Sequence, residues 1–461
     1  MVGCGSIGQT ILPLLRRHLE LQAGHLVVLA ADEAGRSIAQ QFGATFIHTH
    51  LKPHNCRRVL RQHGRSGDLL LNLSVDVSSV DLIRFTAQRK ALYVDTSIEP
   101  WPGVFDNPML DLRQRTNFML RHRALQLAKE LGRDAPTAVV DHGANPGIVS
   151  HLVKRALLDL QQALRGESVR PATPEDWATL ARDLGIDLIQ VSERDTQASD
   201  RPKRPGEFVN TWSIDGLLDE SMQPAEFSFG TAERIKPKGG QFHRGASGTM
   251  FLNRPGAGTL ARSWTPSSGG FMGLMVTHDE VFSIGDLLCL RNAGSIVYRP
   301  TVMYAYHPCD DAMLSLLELE GSGWTPQQHR RRLSLDIVAG MDELGVLLAG
   351  HSRNAYWFGS QLTIEEARRH VPYANATSVQ VAAGALSAVL WAIHNPRAGL
   401  VEPDDIDFEF CLKIASPYLG RLVGEYTDWT PLQGRGELYE EILDVDRPWQ
   451  LQNVRGRQWR S

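Results

Sequence analysis

A glycine hexapeptide and a set of acids at the ends of short apolar runs are the residues whose types and spacing could do chemistry. Gly3-Cys4-Gly5-Ser6-Ile7-Gly8 has the GxGxxG spacing that lets a backbone turn tightly, approach a pyrophosphate and seat a helix against a sheet. The phosphates would then sit at the N-terminus of the helix that follows. Acids stand at turns further along: Asp76, Asp95, Glu99, Glu193, Asp195, Glu220 and the triplet His278-Asp279-Glu280, with Trp212 among them. Taken singly, each can be an ordinary solvated loop residue. In open α/β sheets, however, ligands bind outside the carboxyl ends of the strands. Acids beside a nicotinamide, with few lysines nearby, suit a cationic substrate, and Trp212 can add a cation–π contact of about 0.5–2 kcal/mol.

The expected cofactor contacts are Gly3, Gly5, Ser6, Ile7 and Gly8, with Asp32, Ser74, Asp95 and Thr96 at strand ends. Asp32 is the first carboxylate after the second strand and is the candidate for the ribose hydroxyls. No arginine stands at that strand end to favour a 2′-phosphate, so NAD is expected over NADP. His48 with His50, and His307 with Cys309 and Asp310, could ligate a metal. They lack a third ligand at recognisable spacing, so no metal is expected.

The elements that must position these residues alternate through the first third. Residues 9–22 carry Ile11, Leu12, Leu14, Leu15 and Leu19 near helical spacing. Residues 25–29 read as a buried strand, 32–42 as a polar helix stopped by Gly43, and 44–47 and 68–73 as strands. A helix over 80–89, a strand over 91–95, a helix near 115–131 and a strand over 137–141 follow. Short strands alternating with helices imply a doubly wound parallel sheet of Rossmann type over residues 1–145. The strand that should precede the glycines is reduced to Met1 and Val2, which leaves a hole in such a sheet and suggests a start codon further upstream.

From about residue 146 to 461 the alternation stops, and an α+β substrate domain with a mixed sheet is expected, also carrying the dimer contacts. Within it, Asn375 caps a strong helix over 375–394 (Val379, Ala383, Leu386, Leu390, Ile393) that can pack back on the first domain.

With 461 residues, 42% hydrophobic and 22% charged, the chain has an ordinary globular composition, which excludes a disordered tail, a collagen-like fibre and a coiled coil. A formal net charge of −4 gives no general attraction to nucleic acid or anionic membrane. The five cysteines are scattered without a CxxC pair. With no signal-like N-terminus and no apolar run long enough to span a bilayer, a reducing cytoplasm is expected.

Several longer motifs carry a resemblance. Asn72 to Ser79, Ile98 to Trp101, Gly143-Ala144-Asn145-Pro146-Gly147, Glu193 to Gln197, Asn210 to Ser213, Tyr306 to Cys309, Asp342 to Leu348, Asn354 to Trp357 and Tyr426 to Pro431 resemble the bacterial homospermidine synthases, part of the wider saccharopine-dehydrogenase-like group. The likeness runs in one order from Gly3 to the C-terminus. It implies a Rossmann domain and a substrate domain forming a homodimer, with diamines such as putrescine, or spermidine as donor, for substrates. The implied reaction is redox-neutral. Tightly held NAD takes hydride from an amine-bearing carbon of putrescine, a second putrescine displaces ammonia from the imine, and the hydride returns to give homospermidine. The matching motifs imply Glu99 for the inner ammonium and Glu193 with Glu220 for the outer amine. They imply Trp212 over the cationic chain, Asn145 and His278 at the reacting nitrogen, and Asp76 near the nicotinamide. The family's His-Asn-Glu appears here as His278-Asp279-Glu280, a departure that adds a carboxylate. Two other readings remain open: a saccharopine- or carboxynorspermidine-type dehydrogenase with net turnover of the nicotinamide, which would need arginines for a substrate carboxylate, and a nucleotide-binding protein without turnover.

Overall fold

A computed structural model describes residues 1–22, 24–105, 107–245 and 248–456. The first region alternates α1 (Ser6–His18), β1 (Val27–Ala30), α2 (Arg36–Gln41), β2 (Thr45–His48), α3 (Cys56–His63), β3 (Leu69–Asn72), α4 (Ser79–Gln88), β4 (Leu92–Asp95), α5 (Asn117–Leu131) and β5 (Ala138–Val139). Strands such as Leu69–Asn72 and Leu92–Asp95 are apolar on both faces because helices cover both sides of a parallel sheet. All pairings here are parallel, in the order β2-β1 and β3-β4-β5.

Val2 joins the two halves. It bridges Leu29 on one side and Asn72 on the other, both in parallel sense. Val2 N–H donates to Leu71 O at 2.9 Å, Leu73 N–H donates to Val2 O at 2.8 Å, and the Met1 amine donates to Val27 O at 2.8 Å. Met1–Gly3 thus holds the central position of this sheet, ahead of the glycine turn. Where a longer strand would run there is a cavity of about 590 Å³, walled by Leu15, Leu19, Leu26, Leu69, Phe85 and Val389.

The second region opens with α6 (Ile148–Arg165) and α7 (Pro174–Leu184), followed by β6 (Leu188–Asp195), β7 (Glu207–Asn210), α8 (Ile214–Met222), β8 (Pro224–Ser228), β9 (Gly240–Phe242), β10 (Thr249–Pro255), α9 (Glu280–Leu287), β11 (Thr301–His307), β12 (His329–Arg332), β13 (Met341–Ala349) and β14 (Ala355–Thr363). Then come α10 (Ala376–His394), β15 (Leu400–Val401) and β16 (Arg421–Thr427). The large sheet has the path β9-β10-β8-β11-β6-β13-β14-β16. It is mixed: β6 runs parallel to β11 but antiparallel to β13.

The chain returns to the first sheet late. α10 lies against α1, and β15 pairs with the free edge of β5 in parallel. Gly384 of α10 lets the helix close on the turn before α6, since a Cβ there would stand 2.0 Å from Gly143 O. By length and composition α10 could cross a membrane, an exception to the expectation that no run of this chain could do so. Yet 89% of that stretch is buried inside the protein, so it is a core helix whose small alanines let neighbours close in on every side.

Candidate active site

One pocket of about 470 Å³ runs between the two sheets. At one end stand Gly3, Gly5, Ser6 and Ile7. Gly3 has φ 86°, and a Cβ on it would lie 2.5 Å from Leu73 O, so a side chain there is excluded both by strain and by space. No side chain caps α1 at Gly5, and the first amides of the helix therefore face the pocket with their positive ends free. Asp32, Ser74 and Thr96 line the same end. Gly8 is buried at the back of the turn, where a Cβ would meet Gly3 O at 2.9 Å.

Asp95 is different. It is fully buried, and its two oxygens accept from the Tyr93 hydroxyl and the Asp141 N–H, each at 2.7 Å. The expectation that Asp95 contacts a cofactor is corrected: strand alternation turns its carboxyl the same way as Tyr93, into the protein. His48 and His307 are also occupied, His48 with Ala31 O at 2.9 Å and Glu33 at 3.0 Å, His307 with Pro308 O at 2.9 Å.

The other end of the pocket gathers Asp76, Glu99, Asn145, Glu193, Trp212, Glu220 and His278. They come from separate elements: the turns after β3 and β4, the turn before α6, β6, the lead into α8, α8 itself and the turn before α9. Ser213 caps α8 by accepting from Gly216 N–H at 3.0 Å, which fixes the helix that carries Glu220. Asn145 Nδ2 donates to Glu193 Oε2 and contacts Tyr304 Oη, both at 2.7 Å. The Tyr304 hydroxyl also donates to Glu193 Oε2. Trp212 Nε1–H donates to Tyr306 Oη at 3.2 Å, and the two tyrosine rings stack with centroids 5.4 Å apart.

The electrostatics are those of crowded acids. Burial, then the neighbouring Asp219, Asp76 and Glu220, hold Glu99 well above the usual carboxylate range, and the Asp76 N–H only partly offsets them. Burial pushes Glu193 up to about 7 against the hydrogen bonds from Tyr304 and Asn145. His278 sits between two carboxylates, Nε2 at 3.1 Å from Glu220 and Nδ1 at 3.3 Å from Glu280. The second contact is an ion pair without hydrogen-bond geometry. Burial alone would lower the His278 pKa, but the two acids outweigh it and hold the ring protonated well above its ordinary value. Asp279, the departure from the family's asparagine, directly precedes α9 without a side-chain capping bond and is 3% exposed. Burial, Glu226 and Glu280 keep it well above the carboxylate range despite Arg121. Its side chain is nearly isosteric with asparagine, and its surroundings disfavour the charge that the departure would add.

Residues 1–139 match the saccharopine dehydrogenase NADP binding domain family, and residues 143–428 match the saccharopine dehydrogenase C-terminal domain family. The homospermidine synthase of Blastochloris viridis is 46% identical over 459 residues, with 98% of this chain and 96% of that protein covered. That of Mesorhizobium japonicum is 43% identical over 462 residues, covering 98% and 95%. The chain belongs to the homospermidine synthase family. A homospermidine synthase from Legionella pneumophila, solved in complex with NAD, superposes with a TM-score of 0.92 at 42% identity, covering 98% of this chain and 96% of that one. The resemblance read from the motifs thus holds across the whole chain, as does the Rossmann-type α/β reading of the fold.

Within this homospermidine synthase family fold, the sequence reading did not single out Tyr304 and Arg332, which line the pocket, or Asp219, and it held Tyr306 only as part of a family motif. The i, i+2 spacing of Tyr304 and Tyr306 on one strand puts both hydroxyls on one face. Asp219 precedes Glu220 and acts on Glu99. Arg332 lines the glycine end and was hidden in a run of three arginines.

Proposed function

We propose that the protein is an NAD-dependent homospermidine synthase that joins two putrescines, or takes spermidine as aminobutyl donor, with loss of ammonia and no net change in the nicotinamide. The observation that carries this reading is the charge of the substrate end. Glu99, Glu193 and Glu220 line it with Asp76 and Trp212, and among the described residues no lysine lines the pocket. Of its two arginines, Arg330 is paired with Asp215, and Arg332 stands at the glycine turn. A dehydrogenase for a carboxylate-bearing adduct would need a cation beside the acids. A diammonium needs acids and an aromatic face.

The dinucleotide end fits NAD through the uncapped α1 amides and Gly3, Gly5, Ser6 and Ile7, with Asp32 toward the ribose and Ser74 and Thr96 beside it. When bound, NAD supplies a hydride acceptor and later returns the hydride. The protein's part is to hold charge and move protons. A primary amine near pKa 10.4 must lose its proton before hydride can leave the adjacent carbon, which costs about 4–5 kcal/mol at pH 7. Glu193, with its pKa near 7, is poised to accept that proton, and Asn145 orients it. Glu99 holds the distal ammonium, whose charge offsets the repulsion from Asp219, Asp76 and Glu220. Trp212 covers the chain and favours the developing iminium. His278 lies between Glu220 and Glu280, which favour its protonated form, so the ring can donate to departing ammonia. We further propose a cytoplasmic homodimer with no nucleic-acid or membrane partner.

Incubation with putrescine and NAD tests the reading, with polyamines followed by chromatography and NADH by absorbance. Homospermidine and ammonia without net NADH are expected. Accumulating NADH, or tight NAD binding without turnover of any diamine, would overturn it.

A further inference from the structure

The strand β12 ends in three consecutive arginines, and strand alternation sorts them. Arg331 points inward. It is 9% exposed and pairs with Glu207 at 3.0 Å and Asp336 at 2.8 Å. Arg330 and Arg332 project to the opposite face and both line the pocket. Arg330 is neutralised by Asp215 on α8. Arg332 has no carboxylate within ion-pairing distance among the described residues, and Asp32 is the acid near enough to act on it through space. Its Nη1 would lie 3.8 Å from a Cβ placed on Gly5, so an uncommitted guanidinium hangs over the first turn of α1.

That turn is also the anion-binding end of the pocket. The α1 amides are uncapped at Gly5 and offer a phosphate backbone donors only. A guanidinium beside them adds a charged partner, because its planar fork matches two phosphate oxygens. β12 pairs with β7, in parallel and in register from His329 with Glu207 to Arg332 with Asn210, and belongs to the region that carries the substrate acids.

We infer that Arg332 binds the pyrophosphate of the dinucleotide, clamping it between the two halves of the protein. The inference rests on the proposed NAD-dependent reaction and adds a device to it. The same nicotinamide must stay bound from the first hydride transfer to the second, since early loss would strand an imine that hydrolyses. A contact from the substrate half lengthens the residence of the dinucleotide without touching the reacting carbon.

The test compares wild type, Arg332→Ala and Arg332→Lys in binding NAD, NADP, ADP and adenosine, measured by calorimetry without diamine. Loss of one charged hydrogen-bonding partner is worth on the order of a ten- to hundredfold rise in Kd. That rise is expected for NAD, NADP and ADP alike in Arg332→Ala, with Arg332→Lys between, and no change for adenosine. The melting temperature of the ligand-free protein should stay within about a degree, because Arg332 closes no ion pair there. Equal Kd values for NAD in wild type and Arg332→Ala would overturn the inference, as would a loss confined to NADP, which would assign Arg332 to a 2′-phosphate. These outcomes are separable from failure of the proposed reaction, in which wild type would bind NAD yet form no homospermidine.

Discussion

Asn145 Nδ2 donates to Glu193 Oε2 at 2.7 Å, tying the turn that leaves the parallel sheet to the strand at the centre of the mixed one. The bond orients Glu193 but does not neutralise it, so the carboxyl stays near pKa 7. Homospermidine formation should therefore rise with pH through an inflection near 7 as Glu193 loses its proton. Glu193→Gln should lower turnover about 10²- to 10⁴-fold, the usual range for a lost general base, and abolish that inflection. Its Kd for NAD should change less than about twofold, since the residue stands at the other end of the pocket. An unchanged pH profile in Glu193→Gln would remove the base assignment.

The same crowding makes stability depend on pH. Burial raises Glu193 and Glu233 to about 7 and Asp195 to about 6. A raised carboxylate pKa means that the native state binds the proton more tightly than the unfolded chain. The stabilisation is complete below the unfolded value and is lost as pH climbs through the folded one. The ligand-free protein should thus melt several degrees lower at pH 8 than at pH 5.5, and putrescine, by neutralising the acids, should recover more of the difference at pH 8. Thermal melts by circular dichroism at both pH values, with and without diamine, check the sign. A higher melting temperature at pH 8 would contradict it.

Much of this architecture is legible in the sequence because it rests on local patterns. The glycine turn, the apolar strands Leu69–Asn72 and Leu92–Asp95 and the cap at Asn375 all show in runs of a few residues. α3 does not, because its turn is rich in arginine and buries only Cys56, Val59 and Leu60. Tyr304 became a site residue only through the parallel register that sets Tyr304 beside Val191 and Tyr306 beside Glu193, a pairing of strands over a hundred residues apart that no local pattern encodes. Asp95 misled for the opposite reason. It ends a strand, as ligand-binding acids do, yet the Tyr93 hydroxyl and the Asp141 N–H take both of its oxygens.

The gap beside Met1 offers a test of packing. Alternate residues of β1 bond to β2, as Thr45 N–H to Leu26 O and Thr49 N–H to Ala30 O, so Val27 N–H faces the other way, into the cavity. Leu71 N–H faces it from β3. A designed extension of five alternating valine and isoleucine residues before Met1 would satisfy both amides. Each side chain it buries is worth about 1.5–3 kcal/mol, and two of them should raise the melting temperature by roughly 5 °C or more. A lysine-rich extension of equal length should give no gain. Equal melting temperatures for the two would show that the slot does not take a strand.

His278 should be an imidazolium at neutral pH, because Glu220 and Glu280 flank both ring nitrogens. In ¹⁵N spectra of histidine-labelled protein, assigned by comparison with His278→Asn, both nitrogens should appear protonated at pH 7.5. Glu280→Gln removes the partner on Nδ1, and the ring should then titrate at lower pH than in wild type. A neutral His278 at pH 7.5 in the wild type would rule out its role as the donor to ammonia.

Glu99 is an acid whose neighbours disfavour its charge, with Asp219, Asp76 and Glu220 all raising its pKa. Such a group gains most from a bound ammonium. Glu99→Gln keeps the shape and the Asp76 N–H contact but removes the counter-ion. The KM for putrescine should rise by about tenfold or more, the scale of a charged hydrogen bond, and more steeply for a diamine than for a monoamine of equal length that lacks the distal charge. NAD affinity should hold within about twofold. An equal loss for both amines would show that Glu99 does not hold the distal ammonium, and parallel loss of NAD binding would place it in the cofactor site.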